Sequence, residues 1–183
     1  DFRVDLGQRL FQDDHGKNAG ACADIAGESV THLDAGVPLL LRRPDSAFTL
    51  ANFMRANIYS AFATLAMGLE ILRKENVAVN TLLGHGGIFK TPGVAQRYLA
   101  AAAGAPVTCM ETAGEGGSYG MALLAAYRLH RADGETLAAY LNRCVFADAQ
   151  STTLSPDPAE ESGFAAFLTQ YQTALKAERA VVK

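Results

Sequence analysis

Two short apolar runs, each ending in a glycine-rich loop, restrict the folds open to this chain more than any other feature. The first run and its loop read VAVNTLLGHGG, and the second read PVTCM and ETAGEGGSYG. A helical pattern follows each loop, VAQRYLAAAA in the first case and MALLAAYRLHRA in the second. This order favours an α/β fold with a parallel pair of strands covered by helices. Because ligands collect at the carboxyl ends of parallel strands, both loops are predicted to border one binding edge.

The first loop is similar to a phosphate-binding P-loop but departs from it in two ways. From Gly84 to Thr91 it fits G-x-x-x-x-G-K-[ST], except that Phe89 stands at the second glycine. Pro92 follows Thr91 directly, and a residue before proline is pushed out of the α region. We therefore expect Thr91 to cap the next helix from outside, with Pro92 at the first helical position. A true P-loop places its threonine inside the first helical turn, so this loop is predicted to be something else.

The glycine pair in the first loop suggests a different phosphate site. Gly86 and Gly87 carry no side chains that would keep a polyphosphate away from the main chain. The helix that follows brings its positive end nearby. Lys90 either reaches the phosphates or is an ordinary solvated lysine. A tight strand-to-helix turn that binds nothing is the alternative interpretation of the pair.

The second loop adds glycine backbone to the same edge of the predicted sheet. Its glycines are Gly114, Gly116, Gly117 and Gly120. Two glycine loops side by side would leave a shallow slot for a flat base and its ribose. Close helix packing is the alternative for Gly117 and Gly120. Glu111 and Glu115 either bind ribose hydroxyls or a magnesium-bound water, or are solvated carboxylates.

Composition excludes several classes of function. The chain has 183 residues, 49% of them hydrophobic, and a formal net charge of −3, so it carries no basic footprint for nucleic acid or for an anionic membrane. We find no apolar run long enough to span a membrane and expect a cytoplasmic protein. The cysteines, Cys22, Cys109 and Cys144, are predicted to be reduced buried thiols. The four histidines form no metal-ligand cluster with them in the sequence.

The chain is expected to divide into three segments. Residues 1–36 are polar and aperiodic, residues 37–150 hold the strands and loops, and residues 151–183 form a helical tail of the same domain. The polar opening without an initiating methionine suggests part of a longer protein. Residues 37–41 are predicted to be extended, and residues 134–146 and 160–182 to be helical, the last with a packed face. That face comprises Phe164, Phe167, Leu168, Tyr171 and Leu175.

A long helix is predicted over residues 49–74. Its apolar residues recur at steps of three and four, which favours core packing over a groove for a partner. The predicted core stripe comprises Leu50, Phe53, Met54, Ile58, Ala61, Phe62, Leu65, Leu69 and Leu72.

Three sequence elements resemble the carboxyl-terminal region of the FGGY carbohydrate kinases. They are the Gly-Gly at a strand end in GHGGIFKTPG, the helix-to-strand passage AAAGAPV, and the small-residue helix GMALLAA. Upstream, FTLANFMRANIYSAFATLAMGLEIL is similar to a long family helix with an arginine followed by alanine, here Arg55 and Ala56. The loops METAGEGG and GHGG-x-FKT look most like a xylulokinase-like branch.

The resemblance implies a partial second domain of the actin-like ATPase, or ribonuclease H-like, fold. It implies ATP and Mg²⁺ as cofactors and transfer of the γ-phosphoryl group of ATP to a sugar, most simply D-xylulose. Gly86 and Gly87 match the glycine pair that lies against the phosphates, and Thr91 falls on the adenine side. The full set of expected nucleotide-binding residues is Gly86, Gly87, Lys90, Thr91, Gly114, Gly116 and Gly117.

The resemblance also implies what this chain lacks. No motif here matches the family's catalytic aspartate, so no catalytic residue is assigned, and the amino-terminal sugar-binding domain is missing. We therefore expect these residues alone to bind nucleotide weakly and to phosphorylate nothing. A homodimer is expected from the family. An actin-like assembly or sensor protein that uses ATP only as a switch, or a simple interaction module, are the alternatives.

Overall fold

The computed structural model describes residues 21–22, 29–33, 36–37 and 39–181. Much of the predicted first segment therefore lies outside the described residues, and the division into three segments stays a prediction. The helices are α1 (Leu50–Lys74), α2 (Val94–Ala103), α3 (Gly116–His130), α4 (Leu137–Cys144) and α5 (Pro158–Val181). The strands are β1 (Ala21–Cys22), β2 (Leu40–Leu41), β3 (Leu82–Gly84), β4 (Val107–Met110) and β5 (Ser151–Leu154).

The sheet that carries the predicted loops has the strand order β3-β4-β5. Strands β3 and β4 are parallel, with Leu82 opposite Val107 and Gly84 opposite Cys109, so the predicted parallel pair is confirmed. Strand β5 runs antiparallel to β4 and was not predicted. Its four residues are mostly polar and exposed, so their pairing with β4 depends on the tertiary structure and leaves no apolar pattern in the sequence.

The long helix forms as predicted, but its buried face matches the predicted stripe only in part: Phe62 and Leu69 are buried, and Met54 and Ile58 pack against the core. Thr49 caps it, because the Thr49 side chain accepts a hydrogen bond from the Asn52 N–H. The buried residues are Asn52, Arg55, Ala56, Tyr59, Phe62, Ala63, Ala66 and Leu69. Leu50 is 62% exposed, and Phe53, Leu65 and Leu72 are exposed too, so the predicted stripe was wrong at these positions. The alanines form the inner face because they allow α2 and α5 to approach α1 closely.

Helix α2 starts later than predicted. Its N-terminal cap is Gly93, with φ of 75°, while Thr91 ends the preceding turn in an extended conformation. The prediction that Thr91 caps α2 and that Pro92 opens it was therefore wrong. The chain turns instead at Gly93, two residues after Thr91. The left-handed backbone conformation there strongly favours glycine. Gly104 ends α2 in a left-handed conformation with φ of 60°.

Helix α5 supplies much of the hydrophobic core together with α1 and α2. Its predicted packed face is confirmed, since Phe164, Phe167 and Tyr171 are buried in the main hydrophobic cluster. The rings of Phe164 and Phe167 lie 5.1 and 5.3 Å from the ring of Tyr59 on α1. Helix α5 contacts both α1 and α2.

A buried polar network joins α1, α2 and α5 beside these rings. The Tyr59 hydroxyl donates to Glu160 at 3.0 Å, and the Arg97 guanidinium lies 3.2 Å from the same carboxylate. Arg55, fully buried, lies over the Tyr98 ring at 5.6 Å. Burial raises the pKa of Tyr59, and it raises the pKa of Tyr98 to about 12, so both phenols stay protonated at neutral pH. Arg55 is thus part of the scaffold.

Helix α3 differs from the other helices because none of its described residues is buried. Its apolar side chains Met121, Leu124 and Leu129 are exposed. Among the helices of the described residues, none is long and apolar enough to cross a membrane.

The cysteine prediction is only partly correct. Cys109 is a free, partly buried thiol, but Cys144 is exposed at the end of α4. The apolar neighbours Val145 and Phe146 lie beyond the end of the helix, and Phe146 is exposed as well, so the local apolar sequence does not bury this thiol. The side chain of Cys22 lies outside the described part of the chain.

Replacing Glu160 by glutamine should destabilise the fold by about 1.5–3 kcal/mol, because it removes the buried carboxylate that pairs with Arg97 and accepts a hydrogen bond from Tyr59. Glu161→Gln, on the same helix but partly exposed, should change the free energy of unfolding by no more than about 0.5 kcal/mol. Urea denaturation of both variants measures the difference. Equal stability of the two would contradict the assigned role of Glu160.

Candidate functional site

A cleft of about 690 Å³ lies at the carboxyl ends of β3 and β4. Its volume is within the range of pockets that hold small molecules. Its walls are the residues around the 3₁₀ turn Gly87–Lys90, the end of β4 with the turn Ala113–Glu115, and the start of β5. The lining residues include Lys90, Thr91, Gln96, Cys109, Gly114 and Glu115.

Backbone geometry holds the two turns together. Gly86 has φ of 110°, a conformation that favours glycine, and its N–H donates to the Ala113 carbonyl at 2.8 Å. A Cβ at Gly84 would lie 2.6 Å from the Phe89 ring and 2.7 Å from the Cys109 sulfur. Phe89, the residue that breaks the P-loop pattern, therefore fills the space that Gly84 leaves. The sequence comparison with a P-loop did not reveal this packing.

The structure divides the predicted nucleotide-binding residues into two groups. Lys90, Thr91 and Gly114 line the cleft, whereas the other four do not. Gly87 is exposed, and a Cβ built there would have nothing within 4 Å. Gly86 lies beside it, but its N–H donates to the Ala113 carbonyl and its own carbonyl accepts from the Phe89 N–H, so Gly87 is the more open member of the pair. Their roles towards a nucleotide stay predictions.

The second loop is shorter than the sequence suggested. Gly116 and Gly117 are already the first two residues of α3, and only Gly114 remains in the turn before it. Gly116 packs on the first loop, where its Cβ would lie 2.9 Å from the Cβ of His85. Added side chains at Gly117 and Gly120 would meet nothing within 4 Å, so close packing does not explain these two glycines.

Charged side chains meet at the mouth of the cleft. The Lys90 ammonium lies 2.7 Å from a carboxylate oxygen of Glu115. Glu111 is exposed at the end of β4. No group of three or more histidine, cysteine, aspartate or glutamate side chains able to hold a metal ion occurs in the described ranges. The charge at the mouth is therefore that of a paired cation and a separate carboxylate.

Gln96 is a cleft residue that the sequence analysis missed. It is buried on α2, and its amide nitrogen donates to the carbonyls of Val107 and Thr152, each at 2.8 Å. Its amide oxygen accepts from the Thr152 hydroxyl at 3.3 Å. The available signal was a polar residue directly after Ala95 in an otherwise alanine-rich helix. Gln96 fixes the floor of the cleft by joining α2 to β4 and β5.

Cys109 forms part of the inner wall. Burial raises the pKa of its thiol, so the side chain stays neutral at physiological pH and behaves as a small apolar group. The wall is therefore suited to an uncharged part of a ligand, while the mouth carries the charge.

The chain matches the family described as "FGGY family of carbohydrate kinases, C-terminal domain" over residues 14–129. It belongs to the FGGY carbohydrate kinase family. The match ends within α3, so the FGGY region contains β3, β4 and both turns of the cleft. No curated protein sequence matches the chain.

A solved structure supports the fold of this FGGY chain. The crystal structure of xylulose kinase from Rhodospirillum rubrum is similar to it, with a TM-score of 0.68 and 16% sequence identity. The match covers 98% of this chain and 34% of that one, so the chain spans about a third of the length of its structural relative. The predicted actin-like ATPase, or ribonuclease H-like, fold is confirmed, as is the resemblance to a carboxyl-terminal FGGY region.

We expect Gly84→Ala to destabilise the domain by about 1–3 kcal/mol, because the added methyl group overlaps Phe89 and Cys109. The matched control is Gly68→Ala in α1, where the added methyl group meets nothing within 4 Å. That variant should gain about 0.4–1 kcal/mol from reduced freedom of the unfolded chain. Chemical denaturation of both proteins tests the opposite signs, and a stable Gly84→Ala would refute the packing argument.

Proposed function

We propose that this chain is the nucleotide-binding part of an ATP-dependent carbohydrate kinase, with D-xylulose as the first candidate substrate. The observation that carries the proposal is the cleft at the carboxyl ends of β3 and β4, bordered by two glycine-containing turns, in a chain of the FGGY family. Ligands of open α/β sheets bind at this position.

The adenosine and the phosphates would occupy different parts of this site. The inner wall around Cys109 and Thr91 suits the base and ribose, because it is largely uncharged. The phosphates would lie at the mouth along the main chain of Gly86 and Gly87. The open space at Gly87 supports this placement, since a phosphate can approach the backbone there without meeting a side chain. Gly114 on the second turn and Lys90 at the end of the first turn would border the phosphates.

Positioning and charge neutralisation are what phosphoryl transfer requires of a protein. The residues of this chain would orient the polyphosphate and supply the positive charge of Lys90. The described residues offer single carboxylates, such as Glu111, and no enclosed metal cage. This fits Mg²⁺ that is held mainly by the phosphates and water and that neutralises their charge when bound.

The remaining parts of the reaction belong to the rest of the proposed enzyme. The general base and the sugar site would lie in residues that correspond to the other two thirds of the solved relative. These 183 residues alone are therefore proposed to bind ATP without transferring its phosphate. The homodimer expected from the family also stays a proposal.

Gly87→Val should weaken ATP binding at least about tenfold, which corresponds to about 1.4 kcal/mol, because its side chain would occupy the space proposed for phosphate. The thermal unfolding curve should not change, since nothing in the protein lies within 4 Å of the new Cβ. Gly68→Val in α1 is the matched control and should bind ATP normally. Isothermal calorimetry gives both affinities; an unchanged dissociation constant in Gly87→Val would remove this residue from the site.

The kinase proposal as a whole is tested by ADP release from the longer polypeptide that carries this chain. Mg-ATP would be combined separately with D-xylulose, L-ribulose, gluconate and glycerol. Turnover should depend on the sugar and be strongest with D-xylulose, while residues 1–183 alone should release no ADP. Sugar-independent ADP release would contradict the proposal and favour an actin-like nucleotide switch.

A further inference from the structure

The ion pair between Lys90 and Glu115 bridges the two turns that border the cleft. Lys90 ends the first 3₁₀ turn and Glu115 ends the second, and both side chains line the cavity. Their charged atoms are 2.7 Å apart, with 58% of the lysine side chain and 65% of the glutamate side chain exposed. The pair is thus fully formed but lies in water rather than in the protein interior.

The backbone around the pair determines where the lysine lies. A Cβ at Gly114 would stand 2.9 Å from Cγ of Lys90, so the aliphatic stem crosses the second turn only because residue 114 is glycine. The hydrogen bond from the Gly86 N–H to the Ala113 carbonyl keeps the two turns at a fixed separation. The ammonium group is therefore delivered to the cleft mouth whether or not Glu115 holds it.

The strength of the pair decides what a phosphate ligand would do to it. Exposed ion pairs stabilise proteins by a factor of only about 1.5 to 5 in the equilibrium constant. A polyphosphate carries several negative charges and offers oxygens that bind an ammonium group at least as well as a carboxylate does. Such a ligand can displace Glu115 at small cost.

We infer that Glu115 is a resident counter-ion of Lys90 and that Lys90 exchanges it for phosphate oxygens when a nucleoside triphosphate binds. The inference rests on the proposed function. It makes Glu115 a specificity-determining residue. Its negative charge repels anionic ligands, and only a ligand with phosphates replaces the broken ion pair with new contacts to Lys90. Nucleosides without phosphate gain nothing from the exchange.

The test measures the affinities of ATP and adenosine for the wild type, Lys90→Met, Glu115→Gln and the double variant by calorimetry at low salt. Glu115→Gln should tighten ATP binding about 2–5-fold, because it removes both the competing pair and its repulsion. Lys90→Met should weaken ATP binding by a similar factor. Adenosine affinity should stay the same in all four proteins. Asp45→Asn, which breaks the equally exposed Arg43–Asp45 pair outside the cleft, should leave both affinities unchanged.

The double variant separates exchange from simple repulsion. The gain from Glu115→Gln should be larger by about 1.5–5-fold when Lys90 is present, because only then is an ion pair broken on binding. Equal gains in the two backgrounds would overturn the exchange.

If the wild type binds ATP but neither single variant changes its affinity, the inference fails and the proposed function stands. If the folded wild type binds no ATP, both fail. At about 1 M salt, where screening is nearly complete, the gains should disappear.

Discussion

The parallel pairing of β3 with β4 determines where every part of the candidate site lies. Both strands end at the same edge of the sheet, with Gly84 opposite Cys109, and each then passes into a 3₁₀ turn. The hydrogen bond between Gly86 and Ala113 continues the contact beyond the strands. The walls of the cleft are therefore set by main-chain pairing, and a side chain such as Lys90 is placed by the turn on which it lies.

Local signals predicted the elements of this fold better than they predicted its contacts. The steps of three and four between apolar residues predicted the extent of α1, because this periodicity is a local property of the helix. The buried face of α1 was predicted only in part, since this helix is apolar on more than one side. Packing against α2 and α5 selects the face with alanines, and that choice depends on residues over a hundred positions away.

The same distinction applies to the site. Strand periodicity and glycine content were enough to bring Lys90, Thr91 and Gly114 to one cleft. The role of Gly84 could not be predicted from the motif. Glycine is needed there because the ring of Phe89 and the sulfur of Cys109 occupy the space of a side chain, and a motif comparison does not consider such contacts. Strand β5 was missed for a related reason, since its polar residues are specified by their partner and not by their own pattern.

The two donor bonds of Gln96 have a mechanical consequence. One buried carboxamide links α2 to the carbonyls of β4 and β5, so it holds these three elements together. We expect these hydrogen bonds to resist sliding of the helix along the sheet. We therefore expect any widening or narrowing of the cleft to occur at the two turns, whose contacts in the described part of the chain include a main-chain hydrogen bond, an exposed ion pair and glycine packing. The floor of the cleft around Gln96 is therefore expected to be stiffer than the two turns at its mouth.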